Sequence, residues 1–180
     1  MSELKCTLID NEVHEGEFDC ANESIEKAIC LSYYSTLLRQ TYGYKVCVKD
    51  IVVGYYMIYL KPICIDTMER IEGDEYQGGI IDYYTSAHIE YIAIDKRYQD
   101  HKIGTNLLRG IICSILKVSQ NVPIRLITLD ALGKYHEWYK KIGFRDIPDQ
   151  KIENDIYPMY MDCMSSEEVE KLNDYYESMI

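Results

Sequence analysis

Apolar residues recur along the middle of the chain at two different spacings. From Ile103 onward they occupy positions 103, 107, 108, 111, 112, 115, 116 and 118, a helical period that predicts one long amphipathic helix. The flanking segments "HIEYIAI" (88–94) and "PIRLITL" (123–129) predict strands. This order of strand, helix and strand is typical of an α/β unit.

The C-terminal part continues the alternation. "LGKYHEWYKKI" (132–142) predicts a helix that Gly143 closes. Strands are predicted at "FRDI" (144–147) and "YPMYMDC" (157–163). A final helix is predicted over "SSEEVEKLNDYYESM" (165–179), because a serine cap and acidic residues occupy its first turn.

The N-terminal part predicts a strand, a helix and a hairpin. "LKCTLI" (4–9) alternates enough for a strand, and residues 22–40 show a helical period with Asn22 as the N-cap. "YKVCV" (44–48) and "IVVGYYMIYL" (51–60) predict two strands joined by a two-residue turn.

Two further features of this half affect the fold. Gly54, inside the second hairpin strand, indicates a β-bulge. Residues 61–86 mix proline, glycine and acids with short apolar pieces, which predicts a long connection with a short helix or an extra strand. A connection of this length is often a lid or a wall of a binding site.

Charge is unevenly distributed over the 180 residues. The net charge is −11, but residues 88–145 carry 10 basic and 5 acidic side chains, whereas residues 1–87 and 146–180 each have a balance of −8. The basic middle favours an anionic ligand there. The acidic flanks argue against broad nucleic-acid binding and favour a cationic substrate such as an amine.

Cysteine usage and hydropathy bear on the location of the protein. The seven cysteines include no CxxC pair, so we expect reduced thiols in a cytoplasm and no structural zinc. The longest apolar stretch, residues 51–60, is too short to span a bilayer and ends at Lys61. We therefore expect a soluble, cytoplasmic protein without a membrane partner.

The loop "QDHKIGT" (99–105) lies where a predicted strand turns into the long helix. A helix N-terminus offers unpaired N–H groups and a partial positive charge, which favour phosphate. Gly104 permits close approach of a ligand, and Arg97, His101 and Lys102 add positive charge. The chain has neither GxxxxGK[ST] nor GxGxxG, so another pyrophosphate ligand is expected.

Two segments resemble the GNAT family of N-acetyltransferases. "YIAIDKRYQDHKIGTNLL" (91–108) is similar to the family's acyl-coenzyme A binding segment, whose pattern Gln/Arg-x-x-Gly-x-Gly/Ala falls on residues 99–104. "LDALGKYHEWYKKIGF" (129–144) resembles its later helix with the ending Tyr-x-x-x-Gly-Phe, here Tyr139, Gly143 and Phe144.

The resemblance covers most of the chain and implies a fold and a cofactor. The expected fold is α/β (α+β): a central mixed, mostly antiparallel sheet of six to seven strands flanked by helices, in one domain over residues 1–180. The expected cosubstrate is acetyl-CoA, without a metal. The residues implied to bind it are Ile92, Ala93, Ile94, Gln99, Asp100, His101, Lys102, Ile103, Gly104 and Thr105.

Lys102 departs from the family pattern because it replaces the first glycine. A lysine keeps its N–H available if its backbone stays in an ordinary helical or bridge conformation. If the position needs a positive φ, lysine costs roughly 1 kcal/mol or more.

The resemblance also implies roles in catalysis. Tyr139 is expected to protonate the leaving thiolate, or it is only a core ring on its helix face. His88 and Glu90 are predicted to share a face with residues 92 and 94 of the strand, and either is a candidate base for the amine. Alternatively, both are ordinary strand residues and water takes the proton.

The leading hypothesis is acetyl transfer from acetyl-CoA to a primary amine of a small molecule, peptide or protein. A second hypothesis comes from "EFDCANESIEKAI" (17–29) and "IRLITLDAL" (124–132), which resemble GNAT toxins of toxin–antitoxin pairs that acetylate aminoacyl-tRNA. Under that hypothesis the partners are tRNA and an antitoxin. A third is a non-catalytic CoA-binding module. Dimers are common in the family, so a homodimer is also an expectation.

Overall fold

Strands and helices follow one another along a chain whose computed structural model describes residues 4–72, 83–150 and 152–177. The elements are β1 (Lys5–Leu8), α1 (Glu23–Leu37), β2 (Tyr42–Val48), β3 (Ile51–Cys64), α2 (Ile65–Glu72), β4 (Tyr83–Ile94), a 3-10 turn (Lys96–Tyr98), α3 (Ile103–Ser119), β5 (Leu126–Leu132), α4 (Gly133–Ile142), β6 (Arg145–Asp146), β7 (Ile156–Asp162) and α5 (Ser166–Glu177).

The strands form a single mixed sheet. In the described residues its order is β1-β2-β3-β4-β5-β7-β6. β4 and β5 run parallel, and the other neighbouring strands are antiparallel. This confirms the predicted fold class, because the sheet is mixed, mostly antiparallel and flanked by helices.

Local sequence explains how the N-terminal elements begin and turn. The side-chain oxygen of Asn22 accepts hydrogen bonds from the amides of Ser24 and Ile25, which confirms the predicted N-cap of α1. Lys49 and Asp50 both have positive φ, at 49° and 64°. Positive φ at both central residues is typical of the type I′ turn, so the predicted two-residue hairpin is confirmed.

The helices cover the two faces of the sheet. α3 packs on one face, where Leu108, Ile111 and Ile115 meet Ala87 and Ile89 of β4. α1 packs on the other face through Ile29, against residues such as Tyr55 and Tyr91. A buried hydrogen bond between the hydroxyls of Ser32 and Tyr91 also joins α1 to β4. Within the described ranges, no helix is long and apolar enough to cross a membrane.

The predicted connection over residues 61–86 is shorter than expected. β3 continues to Cys64, α2 follows directly, and β4 begins at Tyr83. The expected short helix is therefore present. The rest of that segment, residues 73–82, lies outside the described residues.

Candidate functional site

β4 and β5 diverge in the middle of the sheet. Residues 86–89 of β4 pair with residues 126–129 of β5. Beyond this point β4 continues along β3 to Ile94, and β5 continues along β7 to Leu132. A cleft therefore opens at the carboxyl ends of two parallel strands, the usual place for ligands in an α/β sheet.

A cavity of about 420 Å³ lies at this divergence, between the first turns of α3 and α4. It brings together most of the residues that the resemblance implied, while His101 lies outside the lining set. The lining residues are Cys20, Asn22, Ile25, Ile92, Ala93, Ile94, Tyr98, Gln99, Asp100, Lys102, Ile103, Gly104, Thr105, Leu132, Lys134, Tyr135, Trp138 and Tyr139.

The turn before α3 has an unusual backbone. Lys102 is the N-cap residue in the left-handed conformation, with φ 59° and ψ 11°, and Asp100 has φ 64°. Lys102 therefore has the strained, positive φ and not the ordinary helical or bridge conformation. The first bond of the helix runs from the amide of Asn106 to the carbonyl of Lys102. The preceding amides belong to the helix N-terminus, where N–H groups have no intrahelical acceptor.

The basic side chains near this turn have different surroundings. The guanidinium of Arg97 binds the buried carboxylate of Asp95 through Nε at 2.9 Å and Nη2 at 2.7 Å, and these bonds lower the pKa of Asp95. Lys96 forms an ion pair with Asp19. Lys102, in contrast, lines the cavity. Arg97 thus stabilises the loop, and Lys102 contributes positive charge to the cavity.

Gln99 fixes the loop to its surroundings. Its amide nitrogen donates to the carbonyl of Ile94 at 2.9 Å and to that of Cys20 at 3.4 Å. The end of β4 is therefore tied to the segment that precedes α1. The side chain of Gln99 orders the wall of the cavity, and its amide donors are directed at the protein.

Tyr139 lies on α4 with its ring packed against two aromatic neighbours. The ring centroids of Trp138 and Phe144 are 4.6 Å and 5.8 Å from its own. Burial, and to a smaller extent the nearby Tyr135, raises the pKa of the Tyr139 phenol well above its usual value. Tyr139 therefore stays protonated near neutral pH, and it both packs against the core and lines the cavity.

A β-bulge interrupts β4 at Glu90. Met57 of β3 pairs with Tyr91, and the next residue, Ile58, pairs with Ile89, so Glu90 has no opposite residue in the register. The bulge reverses the alternation of side chains. Ile92 and Ile94 therefore pack toward α3, whereas Tyr91 and Ala93 pack toward α1.

The predicted common face of residues 88, 90, 92 and 94 is therefore wrong. His88 precedes the bulge, and it contacts Thr128 of β5 and Tyr59 of β3. Since Ala87 and Ile89 face α3, the side chain of His88 lies on the opposite face of the sheet from Ile92. His88 and Glu90 thus lie at the divergence of β4 and β5, away from the lining of the main cavity.

His88 is buried among polar groups. Only 3% of its side chain is exposed, and its Nδ1 lies 3.0 Å from the hydroxyl of Thr128. Its Nε2 lies 3.7 Å from Glu90 Oε2 and 4.0 Å from Asp130 Oδ2. Burial and the charge of Lys61 lower the pKa of His88 to about 4, although Asp130 opposes them. The imidazole is therefore neutral near pH 7, as a base must be.

Several residues of the site were missed by the sequence analysis. Thr128 and Asp130 were overlooked, although both follow Leu126 at the strand period of two. Tyr59 reaches the site from a neighbouring strand, a contact that the chain order does not reveal. Lys134 lines the cavity from the first turn of α4, where only the predicted start of a helix marked it. In the described residues, no group of three or more His, Cys, Asp or Glu side chains is arranged to hold a metal ion.

The chain matches one protein family over slightly more than half of its length. The acetyltransferase (GNAT) domain family matches residues 71–164, a range that contains β4, α3, β5, α4, β6 and β7 and includes the cavity's principal walls. No curated protein matches the sequence.

Solved structures share the fold over nearly the whole chain. A bacterial toxin superimposes with a TM-score of 0.76 at 16% identity, covering 96% of this chain and 97% of the toxin. AtaT complexed with acetyl-methionyl-tRNAfMet gives 0.70 at 17% identity, covering 94% and 99%. An AtaT mutant toxin bound to the C-terminus of the antitoxin AtaR and acetyl-CoA gives 0.67 at 18% identity, covering 89% and 94%. At these identities the similarity establishes the fold.

Proposed function

The chain belongs to the acetyltransferase (GNAT) family and is an acetyl-CoA-dependent N-acetyltransferase, and from this premise we propose its acceptor and the roles of its site residues. The acceptor is a primary amine that enters the divergence of β4 and β5 from the face of His88. Acetyl-CoA occupies the cavity between the first turns of α3 and α4, whose lining does not include His88. The observation that carries this proposal is the pairing of a neutral, buried His88 with two carboxylates at that divergence.

The proposed position of acetyl-CoA follows the lining of the cavity. The pyrophosphate lies at the N-terminus of α3, where the helix amides and Lys102 favour an anion. Lys134, on the facing wall, adds a second positive charge. The pantetheine arm runs along residues 92–94, the end of β4 that is free of β5. This path leads from the helix N-terminus toward Tyr139.

The proposed chemistry is a direct attack of the amine on the thioester carbonyl. Glu90 and Asp130 attract the acceptor as an ammonium ion, which releases one proton to solvent to become the neutral amine. His88 then accepts the second proton, which the nitrogen loses as it attacks. The new C–N bond forms as the C–S bond breaks. Tyr139, whose raised pKa keeps the phenol protonated at neutral pH, donates its proton to the departing thiolate and regains a proton from solvent before the next turnover.

The test follows the release of free thiol from acetyl-CoA against polyamines, aminoglycosides, N-terminal peptides and aminoacyl-tRNAs. Tyr139→Phe should lower kcat about 100-fold, in the range that a general acid contributes, while acetyl-CoA binding persists. Tyr34→Phe removes an equivalent phenol from an exposed position on α1 and should behave as wild type. Saturable acetyl-CoA binding without turnover on any acceptor would instead support a CoA-binding module.

A second candidate acceptor is the α-amino group of an aminoacyl-tRNA, with an antitoxin as the protein partner. The similarity to AtaT complexed with acetyl-methionyl-tRNAfMet supports this candidate, because it covers 94% of this chain. The balance of +5 in residues 88–145 favours phosphate contacts, whereas the net charge of −11 opposes them. This candidate predicts growth arrest on expression that Tyr139→Phe relieves. Harmless expression of an active enzyme would contradict it.

A further inference from the structure

Two side-chain hydroxyls and one backbone carbonyl form a chain of hydrogen bonds that begins at His88 and crosses the sheet. His88 Nδ1 lies 3.0 Å from Thr128 Oγ1, and Thr128 Oγ1 lies 3.2 Å from Ser86 Oγ. Ser86 Oγ in turn lies 3.0 Å from the backbone carbonyl oxygen of Lys61. Both hydroxyl residues are buried, with exposed fractions of 0% for Ser86 and 3% for Thr128.

The direction of these hydrogen bonds follows from the last group in the series, the carbonyl of Lys61. A carbonyl oxygen only accepts, so the single hydroxyl proton of Ser86 points at Lys61. Thr128 must then supply the proton that lies between its oxygen and that of Ser86. Since Thr128 has no second proton, it accepts from His88, and the imidazole proton resides on Nδ1.

The other tautomer would break this chain. With the proton on Nε2, Thr128 would have to donate to Nδ1 of His88. Either the oxygens of Thr128 and Ser86 would then face each other at 3.2 Å without a proton between them, or the Ser86 hydroxyl would turn to Thr128 and lose its bond to the Lys61 carbonyl.

We infer that Thr128 and Ser86 are positioning residues that hold His88 as the Nδ1–H tautomer, which leaves the lone pair of Nε2 free to accept the proton of the acceptor amine. This inference rests on the proposed role of His88 as the base. Nε2 points toward Glu90 and Asp130 at 3.7 Å and 4.0 Å, longer than direct hydrogen bonds.

Other groups around His88 are consistent with a free Nε2. The ring of Tyr59 lies beside the imidazole at a centroid distance of 5.0 Å, and the charge of Lys61 disfavours the imidazolium. The carboxylates of Glu90 and Asp130 are about half exposed, with exposed fractions of 44% and 48%. An amine can therefore approach Nε2 from the side of these two carboxylates.

The first test reads the tautomer directly by ¹⁵N NMR of the imidazole nitrogens. The chain has four histidines, so the His88 signals can be assigned by their loss in His88→Gln. We expect a protonated Nδ1 and an unprotonated Nε2 in the wild type at pH 7. A protonated Nε2 would overturn the inference whatever the activity of the enzyme.

The second test compares Thr128→Val, which keeps the shape of the side chain, with Thr128→Ser, which keeps the hydroxyl. Thr128→Val should lower kcat at least about 10-fold, part of the 10²–10⁴ that a general base contributes. It should also mix the two tautomers, and it should leave the KM for acetyl-CoA unchanged because Thr128 does not line that cavity. Thr128→Ser should restore both the tautomer and kcat. An unchanged kcat in Thr128→Val would contradict the positioning role.

His88→Gln separates this inference from the proposed function. If His88→Gln retains full activity, the role of His88 as the base fails, and the inferred positioning role fails with it. If His88→Gln is inactive but the wild type carries its proton on Nε2, only the inference about Thr128 and Ser86 fails.

Discussion

The indole nitrogen of Trp138 donates a hydrogen bond to the hydroxyl of Thr105 at 3.2 Å. This bond joins α4 to the first turn of α3, the two elements that flank the cavity. Tyr139 follows Trp138 directly and packs against it. The position of the phenol is therefore coupled to that of the helix N-terminus proposed to hold the pyrophosphate.

Replacing Thr105 tests this coupling. Thr105→Val removes the acceptor and leaves the partly buried indole N–H of Trp138 without its partner, so we expect a loss of about 1–2 kcal/mol in the free energy of unfolding. Thr105→Ser keeps the hydroxyl and should lose less than half as much. Urea unfolding of the two variants measures the difference. Equal stability of Thr105→Val and Thr105→Ser would show that the hydrogen bond to Trp138 contributes little.

Lys102 should be a source of strain that glycine relieves. Its φ of 59° costs an L-residue about 1–2 kcal/mol, and glycine adopts this conformation freely. Lys102→Ala is the matched control, because it removes the same charge and keeps the Cβ atom. We expect Lys102→Gly to be about 1 kcal/mol more stable than Lys102→Ala, with a melting temperature about 2–4 °C higher.

Charge and strain at Lys102 can be separated by ligand binding. Both variants lose the ammonium that lines the cavity. At low salt, both should therefore bind acetyl-CoA more weakly than the wild type does. The difference should shrink at high ionic strength. Identical melting temperatures for Lys102→Gly and Lys102→Ala would contradict the strain.

Local patterns predicted the elements but not the site's geometry. The helical period from Ile103 and the cap at Asn22 depend on residues close in sequence, and both were confirmed. The bulge at Glu90 depends on pairing with Met57 and Ile58, which lie on another strand. Because a bulge shifts every later side chain to the other face, strand periodicity alone assigned His88 to the wrong face.

Charge near the phosphate loop was also only partly predictable. The sequence placed Arg97 and Lys102 close to the loop, yet the structure gives them different partners. Arg97 is bound to Asp95, two residues away, a pairing that competes with any ligand. Lys134 comes from a helix far along the chain, so only the tertiary fold brings it to the same cavity.

Gly54 should be sensitive to any side chain. A Cβ atom there would lie 2.5 Å from the carbonyl oxygen of Ala93 and 2.9 Å from Ile94 Cδ1. The carbonyl belongs to the backbone of β4, so Gly54→Ala should shift residues 92–94 and cost about 1–3 kcal/mol. It should also weaken acetyl-CoA binding, which calorimetry measures.

Gly110 provides the matched control on α3. A Cβ atom at this exposed helix position meets nothing within 4 Å, so Gly110→Ala should stabilise the protein by about 1 kcal/mol through helix propensity. In thermal unfolding we therefore expect Gly54→Ala to lower the melting temperature and Gly110→Ala to raise it. A neutral Gly54→Ala would mean that β3 and β4 can separate without cost.

His88 should make stability depend on pH in a defined window. Its pKa is lowered from 6.5 to about 4 in the folded protein, so between these values the unfolded chain binds a proton that the native state excludes. Stability therefore rises with pH across this window, is complete above about 6.5, and is lost as the pH falls toward 4. The contribution is on the order of 3 kcal/mol.

His88→Gln isolates this contribution, because the other three histidines and the carboxylates remain in both proteins. Urea unfolding at pH 5 and at pH 7.5 should show a steeper loss of stability for the wild type than for the variant. The two carboxylates near Nε2, Glu90 and Asp130, oppose the exclusion of the proton, and Lys61 and burial favour it. Equal slopes in the two proteins would mean that folding does not lower the pKa of His88, because Glu90 and Asp130 offset burial and the charge of Lys61.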